Sequence, residues 1–170
     1  KTLTGNFPIG YRHMGSPWQK NFDEAFAWTG ANAFAAYDLP SESVPNIKKL
    51  AQHGLQAGSV DLMDWPGFHA LLSPDKARRA AAVDSAKRLV EKGTEAGARI
   101  FFTLMLPEKP DLPRAENFKY MVESYAALAP TLEKSGAKLA VEGWPGPGAL
   151  CCTPETYRAF FREIPSTAMG

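Results

Sequence analysis

The chain has 170 residues, enough for one domain, and its 45% hydrophobic and 22% charged composition is that of an ordinary soluble protein. A net charge of +1, with no basic stripe interleaved with aromatics, points away from a nucleic-acid surface. No apolar run approaches the ~18 residues of a membrane span and no secretory leader opens the chain, so a cytoplasmic location is expected.

The chain begins at Lys1, which suggests processing or a boundary within a longer protein. Residues 7–14 read as a first strand, ended by Gly15, Ser16 and Pro17. Asn21 caps a helix through Ala27, with Asp23 and Glu24 in its first turn, where the helix dipole favours acids. The apolar run 33–37 follows, with Asp38, Leu39 and Pro40 as its breaker. Ser43 is a cap for a helix from Val44 to His53. Pro45 is tolerated in its first turn, His53 is favoured by the dipole at its end, and Gly54 stops it. Residues 55–62 form the next strand. The stretch 63–74 reads as a long loop carrying Trp65, Phe68 and His69, either a substrate wall or a small satellite core.

The longest helix starts at Ser73–Asp75 and runs to about Glu95. Its buried stripe is Ala80, Val83, Ala86 and Val90, reaching Gly97. Residues 99–106 are a nearly unbroken apolar strand, ended by the segment 107–110. A helix from Asn117 buries Phe118, Met121, Val122, Tyr125, Leu128 and Leu132, and Pro130 is expected to kink or split it before Gly136. Residues 138–142 read as a strand buried on both faces that ends in Glu142 and breaks into a Gly-Pro loop with Trp144. Cys151 and Cys152 read as free thiols near a helix start, because adjacent cysteines strain a disulfide and cannot complete a zinc site. A helix from Thr153 to about Glu163 follows, and residues 166–170 look like the start of another strand.

Gly30, Gly54, Gly97 and Gly136 each close a helix and lead into an apolar run. That alternation is the βα repeat of a parallel sheet with helices outside. Gly10 and Gly15 do not make the phosphate-loop fingerprint of a doubly wound sheet. A (β/α)₈ barrel takes ~250 residues, so residues 1–170 are expected to form a single, partial TIM-barrel domain of about five and a half βα units. Glu142 then stands at the C-terminal mouth, where such barrels place their chemistry. The competing reading pairs it with a neighbouring Lys or Arg.

Three stretches carry a resemblance: residues 21–25 (Asn-Phe-Asp-Glu-Ala), residues 48–55 (Lys-Lys-Leu-Ala-Gln-His-Gly-Leu), and Leu128-Ala129-Pro130 followed by residues 135–142. In order and at this spacing, they resemble the xylose isomerase-like TIM barrels. The resemblance covers nearly the whole chain, from Ile9 to Gly170. It implies a sugar or sugar-phosphate isomerase or epimerase that moves a proton beside a ketose carbonyl through an enediolate. It also implies a divalent metal, Mn²⁺ or a similar ion, held by Glu, Asp, His and Glu from successive strand ends. Only the first of those ligands has a match, Glu142. The others are expected beyond Gly170.

On this reading Glu142 is catalytic and a metal ligand, and the partner is a small sugar or keto-sugar. His13 at the end of the first strand is a candidate for a sugar hydroxyl. Trp144, Trp65 and His69 are candidate pocket walls, with Asp61 and Glu108 as further substrate contacts. Two other functions compete. One is a phosphodiester hydrolase of the related endonuclease branch, which three scattered histidines and near-neutral charge disfavour. The other is a non-catalytic barrel or half-barrel whose unpaired sheet edges call for a partner or a homo-oligomer. A dehydratase on the same platform is not separated from the first reading.

Overall fold

A computed structural model describes residues 7–170. Five parallel strands stand side by side in chain order: β1 (Gly10–Arg12), β2 (Ala36–Leu39), β3 (Gln56–Asp61), β4 (Ile100–Leu104) and β5 (Lys138–Glu142). The connections are α1 (Phe22–Ala31), a 3₁₀ helix (Ser41–His53), α2 (Trp65–Ala70) with α3 (Lys76–Ala96), and α4 (Arg114–Ser135). α5 (Pro154–Glu163) follows β5. Parallel neighbours with a helix between each pair make the α/β architecture of a partial TIM barrel. The expected sixth strand begins where the sequence placed it, as a parallel bridge from Leu139 to Met169.

The sheet sorts its side chains by the two-residue period of a strand. Tyr37, Val60, Phe101, Thr103 and Leu139 point under the helices and are buried. Arg12, Asp38, Asp61, Phe102 and Glu142 occupy the alternate positions and stay partly exposed. The main core therefore lies between sheet and helices, with Phe26, Leu50, Val90, Tyr125 and Leu128 closing over the outward row. β5 departs from the expectation of burial on both faces: only Leu139 is buried in it. Among the described residues the sheet continues beyond it through the Leu139–Met169 bridge, and Ala140, Val141 and Glu142 stay partly exposed.

Several element boundaries also differ. Ser43 does not cap a helix; its hydroxyl donates to the Pro40 carbonyl and the 3₁₀ helix starts two residues earlier. Asp38 and Leu39 do not break β2 but complete it, since the Asp38 carboxylate accepts from the Ser59 backbone N–H and hydroxyl on β3. Gly30 lies inside α1 rather than at its end. A Cβ there would stand 2.4 Å from the His53 carbonyl oxygen, so glycine permits the close approach of two connecting helices. The loop 63–74 contains α2, capped by Asp64.

In α3 the buried stripe includes Arg79 in place of Ala80, which is exposed. Arg79 donates to the Ser73 carbonyl and to Glu123, and lies over the Tyr120 ring. Its long stem fills the space an alanine leaves open. α4 starts at Arg114, because Asn117 serves as a clasp that donates to the carbonyls of Lys109 and Leu112. Pro130 does not split α4, which runs on to Ser135. Both Pro130 and Ala126, whose carbonyl loses its helical partner, are exposed, which puts that carbonyl on the side of the helix that water can reach.

Cys151 and Cys152 are both free, the first buried and the second exposed. Burial pushes the Cys151 thiol up to about 12. Titration of the native protein with a disulfide reagent is therefore expected to label one thiol per chain quickly, at Cys152, and the second only on unfolding. Two fast thiols would show that Cys151 is accessible in the native state.

Candidate active site at the strand ends

The C-terminal ends of the strands enclose an open cavity of about 600 Å³. Grooves also run between α3 and α4, but they lie on the helical layer, where no strand end contributes. The strand-end cavity gathers convergent polar groups above a parallel sheet, which is where such folds bind ligands.

Its floor is set by β1, β3 and β4. Arg12 donates to the Asp61 carboxylate at 2.8 Å, and its guanidinium lies 4.7 Å from the centre of the Phe102 ring. Register explains this meeting, because Asp61 pairs with Phe102 across β3 and β4 while Arg12 projects inward from β1. Burial raises the Asp61 pKa above the ordinary carboxylate value, and the hydrogen bond and charge of Arg12 pull it back only in part. For an acid shifted upward, the stabilising contribution is complete below the unfolded-state pKa and is lost as pH rises through the folded one. Asp61→Asn, which imitates the protonated group, is thus expected to gain stability relative to the parent between about pH 4 and about pH 7. Urea denaturation at both ends of that range checks it. A relative loss on going up in pH would show that pairing with Arg12 outweighs desolvation.

Glu142 ends β5 beside Leu104, and both line the cavity. Among the described residues its side chain has no hydrogen-bond or ion-pair partner, so the alternative of a Lys or Arg partner is not what the structure holds. The strand end beneath it is propped from outside, since the Tyr157 hydroxyl on α5 donates to the Val141 carbonyl at 2.9 Å. Trp144 follows two residues on, and its ring meets that of Trp65 edge to face with centroids 6.0 Å apart. The two indoles form an apolar wall beside the carboxylate, drawn from α2 and from the loop after β5.

His13 also lines the cavity. Burial lowers its pKa, opposed by the charges of Glu42 and Asp61. The cavity thus unites Glu142, His13, Trp144, Trp65 and Asp61 from the sequence expectations. It does not unite His69 and Glu108 with them. The His69 ring packs on Trp65, with Nδ1 3.0 Å from the Pro107 carbonyl oxygen. Glu108 accepts from the Ser73 hydroxyl and pairs with Arg78 at 2.9 Å, outside the cavity lining. The structure adds Arg12, Glu42 and Asp64, which the sequence reading had not singled out. The period of two along β1 carried the signal for Arg12: it is the last residue of the strand and the one that faces inward.

The chain matches the model of the xylose isomerase-like TIM barrel family over residues 10–170. It belongs to that family. Among solved structures, this xylose isomerase-like chain is similar to a D-psicose 3-epimerase from Clostridium cellulolyticum H10 solved with D-tagatose, at a TM-score of 0.81 and 12% identity. The match covers 96% of this chain and 62% of that one. It is also similar to a 3-keto-D-glucoside 4-epimerase from E. coli, with a TM-score of 0.74, 14% identity, and coverage of 96% and 66%. A xylose isomerase-like TIM barrel protein from Mycobacterium smegmatis, in complex with magnesium, matches at a TM-score of 0.69 and 15% identity, with coverage of 97% and 63%. At such identities the likeness carries the fold, and the chain spans less than two thirds of each of these proteins. No curated protein matches it. Among the described residues no helix is long and apolar enough to cross a membrane.

Proposed function

We propose that the protein serves as the part of a sugar isomerase or epimerase that carries the strand-end cavity, acting on a free keto-sugar. The observation that carries this reading is Glu142: a carboxylate at a barrel-strand end, without a protein partner among the described residues, beside two tryptophan faces suited to the C–H surface of a sugar ring. Membership of the family and the epimerases among the similar folds support the same reaction class.

In this reading a Glu142 oxygen takes the proton from the carbon beside the carbonyl. The electron pair of that C–H bond becomes the double bond of an enediolate, and the negative charge passes to the former carbonyl oxygen. Donors at the cavity floor, Arg12 and His13, stand where such an oxygen can be met. Return of the proton by the same carboxylate to the former carbonyl carbon, with the enediolate's hydroxyl proton passing to the former carbonyl oxygen, gives an isomer. Inversion at one carbon needs a second acid on the opposite face.

The lining favours an unphosphorylated substrate. Glu42, Asp61, Asp64 and Glu142 face the cavity, and the guanidinium of Arg12 is already paired with Asp61. A phosphoryl group entering there meets like charge, and so does a phosphodiester backbone. Product analysis after incubation with D-tagatose and with D-tagatose 6-phosphate tests the proposal. Conversion of the free sugar with a kcat/KM at least about tenfold higher, a difference of about 1.4 kcal/mol, is expected. Preference for the phosphate would overturn the substrate class, and conversion of neither would overturn the reaction class.

The family resemblance implies a divalent metal, and Glu142 has the oxygen chemistry of one ligand. The described residues do not make a metal site by themselves, because no three His, Cys, Asp or Glu side chains among them are placed to hold one ion together. A hard divalent ion such as Mn²⁺ takes several oxygen or nitrogen ligands.

A further inference from the structure

Behind the cavity wall, a hydrogen-bonded relay runs from Gln19 through Tyr37 to His13. It starts at Gln19, an amide that is only 1% exposed. Its Oε1 accepts from the backbone N–H of Met14 at 2.9 Å and of Ser16 at 3.2 Å. Those two donors set the orientation of the amide, because the flipped amide would turn N–H groups against N–H groups. Nε2 therefore donates, to the Arg12 carbonyl and to the Tyr37 hydroxyl, each at 3.3 Å.

Tyr37 is fully buried, and its hydroxyl oxygen is now an acceptor whose own proton needs a partner. The remaining partner among the described residues is His13 Nδ1, at 3.1 Å. Nδ1 then presents its lone pair to the tyrosine, and a neutral imidazole with an unprotonated Nδ1 carries its proton on Nε2. The reverse tautomer would leave the buried tyrosine proton without an acceptor. Nε2 has no hydrogen-bond partner among the described residues, and the ring borders the cavity.

We propose that Gln19 and Tyr37 are positioning residues that fix His13 as a neutral Nε2–H donor, directed to a hydroxyl or carbonyl oxygen of the substrate. The substrate half of this statement rests on the keto-sugar reading; the relay does not. In this tautomer His13 offers the cavity a donor and no lone pair, so it neither takes a proton from carbon nor ligates a metal. It makes an acceptor oxygen at that point of the sugar a condition of tight binding.

Long-range ¹H–¹⁵N NMR of the labelled protein, above the pKa of His13, tests the relay. The chain has three histidines, so His53→Gln and His69→Gln variants assign the signals. His13 is expected to show an unprotonated Nδ1 and a protonated Nε2. Tyr37→Phe, which keeps the ring and removes the hydroxyl, is expected to give a mixture of tautomers at His13 and none of that change at His53 or His69. A protonated Nδ1 in the parent protein, or an unaltered tautomer in Tyr37→Phe, overturns the relay. Addition of D-tagatose is expected to shift the His13 Nε2–H signal; sugar bound by calorimetry without that shift overturns the donor role. Absence of any sugar binding defeats the keto-sugar reading instead, while the tautomer still decides the relay.

Discussion

Glu142→Gln is expected to lower turnover of a keto-sugar by about 10²–10⁴-fold, the range associated with losing one positioned acid–base group. The same variant should unfold within about 0.5 kcal/mol of the parent. The two expectations belong together. Glutamine keeps the volume and reach of glutamate but accepts no proton, and among the described residues the carboxylate holds no partner whose loss could weaken the fold. A structural glutamate behaves in the opposite way: its removal leaves an unsatisfied neighbour and costs about 1–3 kcal/mol with little effect on chemistry. Parallel kinetics and urea denaturation on the purified variant separate the two. A stability loss of that size with turnover retained would remove Glu142 from the chemistry.

Phe101→Ala is expected to give a large stability loss, about 3–5 kcal/mol by chemical denaturation. Phe101 is fully buried as the second residue of β4, between β3 and β5, under α3. Its ring lies so close to α3 that a Cβ on Gly93 would come within 2.9 Å of it. That flush seat leaves little slack for the surroundings to collapse into the hole, and slack is what lowers the cost of truncation in other cores. Domains of this size are stabilised by only about 5–15 kcal/mol, so one such cavity takes a large share. The adjacent inward residue, Phe102, carries the Arg12 guanidinium, so the floor of the cavity is expected to loosen with the core. A loss below about 1 kcal/mol would show that the α3–sheet interface repacks freely.

The alternation of strands and helices was legible in the chain because its punctuation is strong. Gly54, Gly97 and Gly136 sit in left-handed helix caps with φ of +70°, +117° and +67°, a conformation that favours glycine, and each leads directly toward a strand. The place of Glu142 was legible as well: it closes an apolar run, and the strand end it occupies lines the cavity. Arg79 was hidden because its burial depends on Ser73, Glu123 and Tyr120, which the fold brings to it from other elements. The Gln19–Tyr37–His13 relay was hidden likewise, since it joins three segments through hydrogen bonds that no local pattern announces. Pro130 does not split α4, and the carbonyl it frees belongs to Ala126, an exposed residue. Glu108 followed a strand end, as a site residue should, yet Ser73 and Arg78 hold it outside the cavity.

In the proposed function a proton is moved beside a keto-sugar carbonyl at the strand-end cavity. Proton NMR of D-tagatose incubated with the protein in D₂O, with Mn²⁺ supplied, tests it most directly. Exchange of the hydrogen beside the carbonyl for deuterium, lost in Glu142→Gln, is the predicted result. A sugar that is bound yet retains its hydrogen, or an exchange that persists in Glu142→Gln, would contradict it.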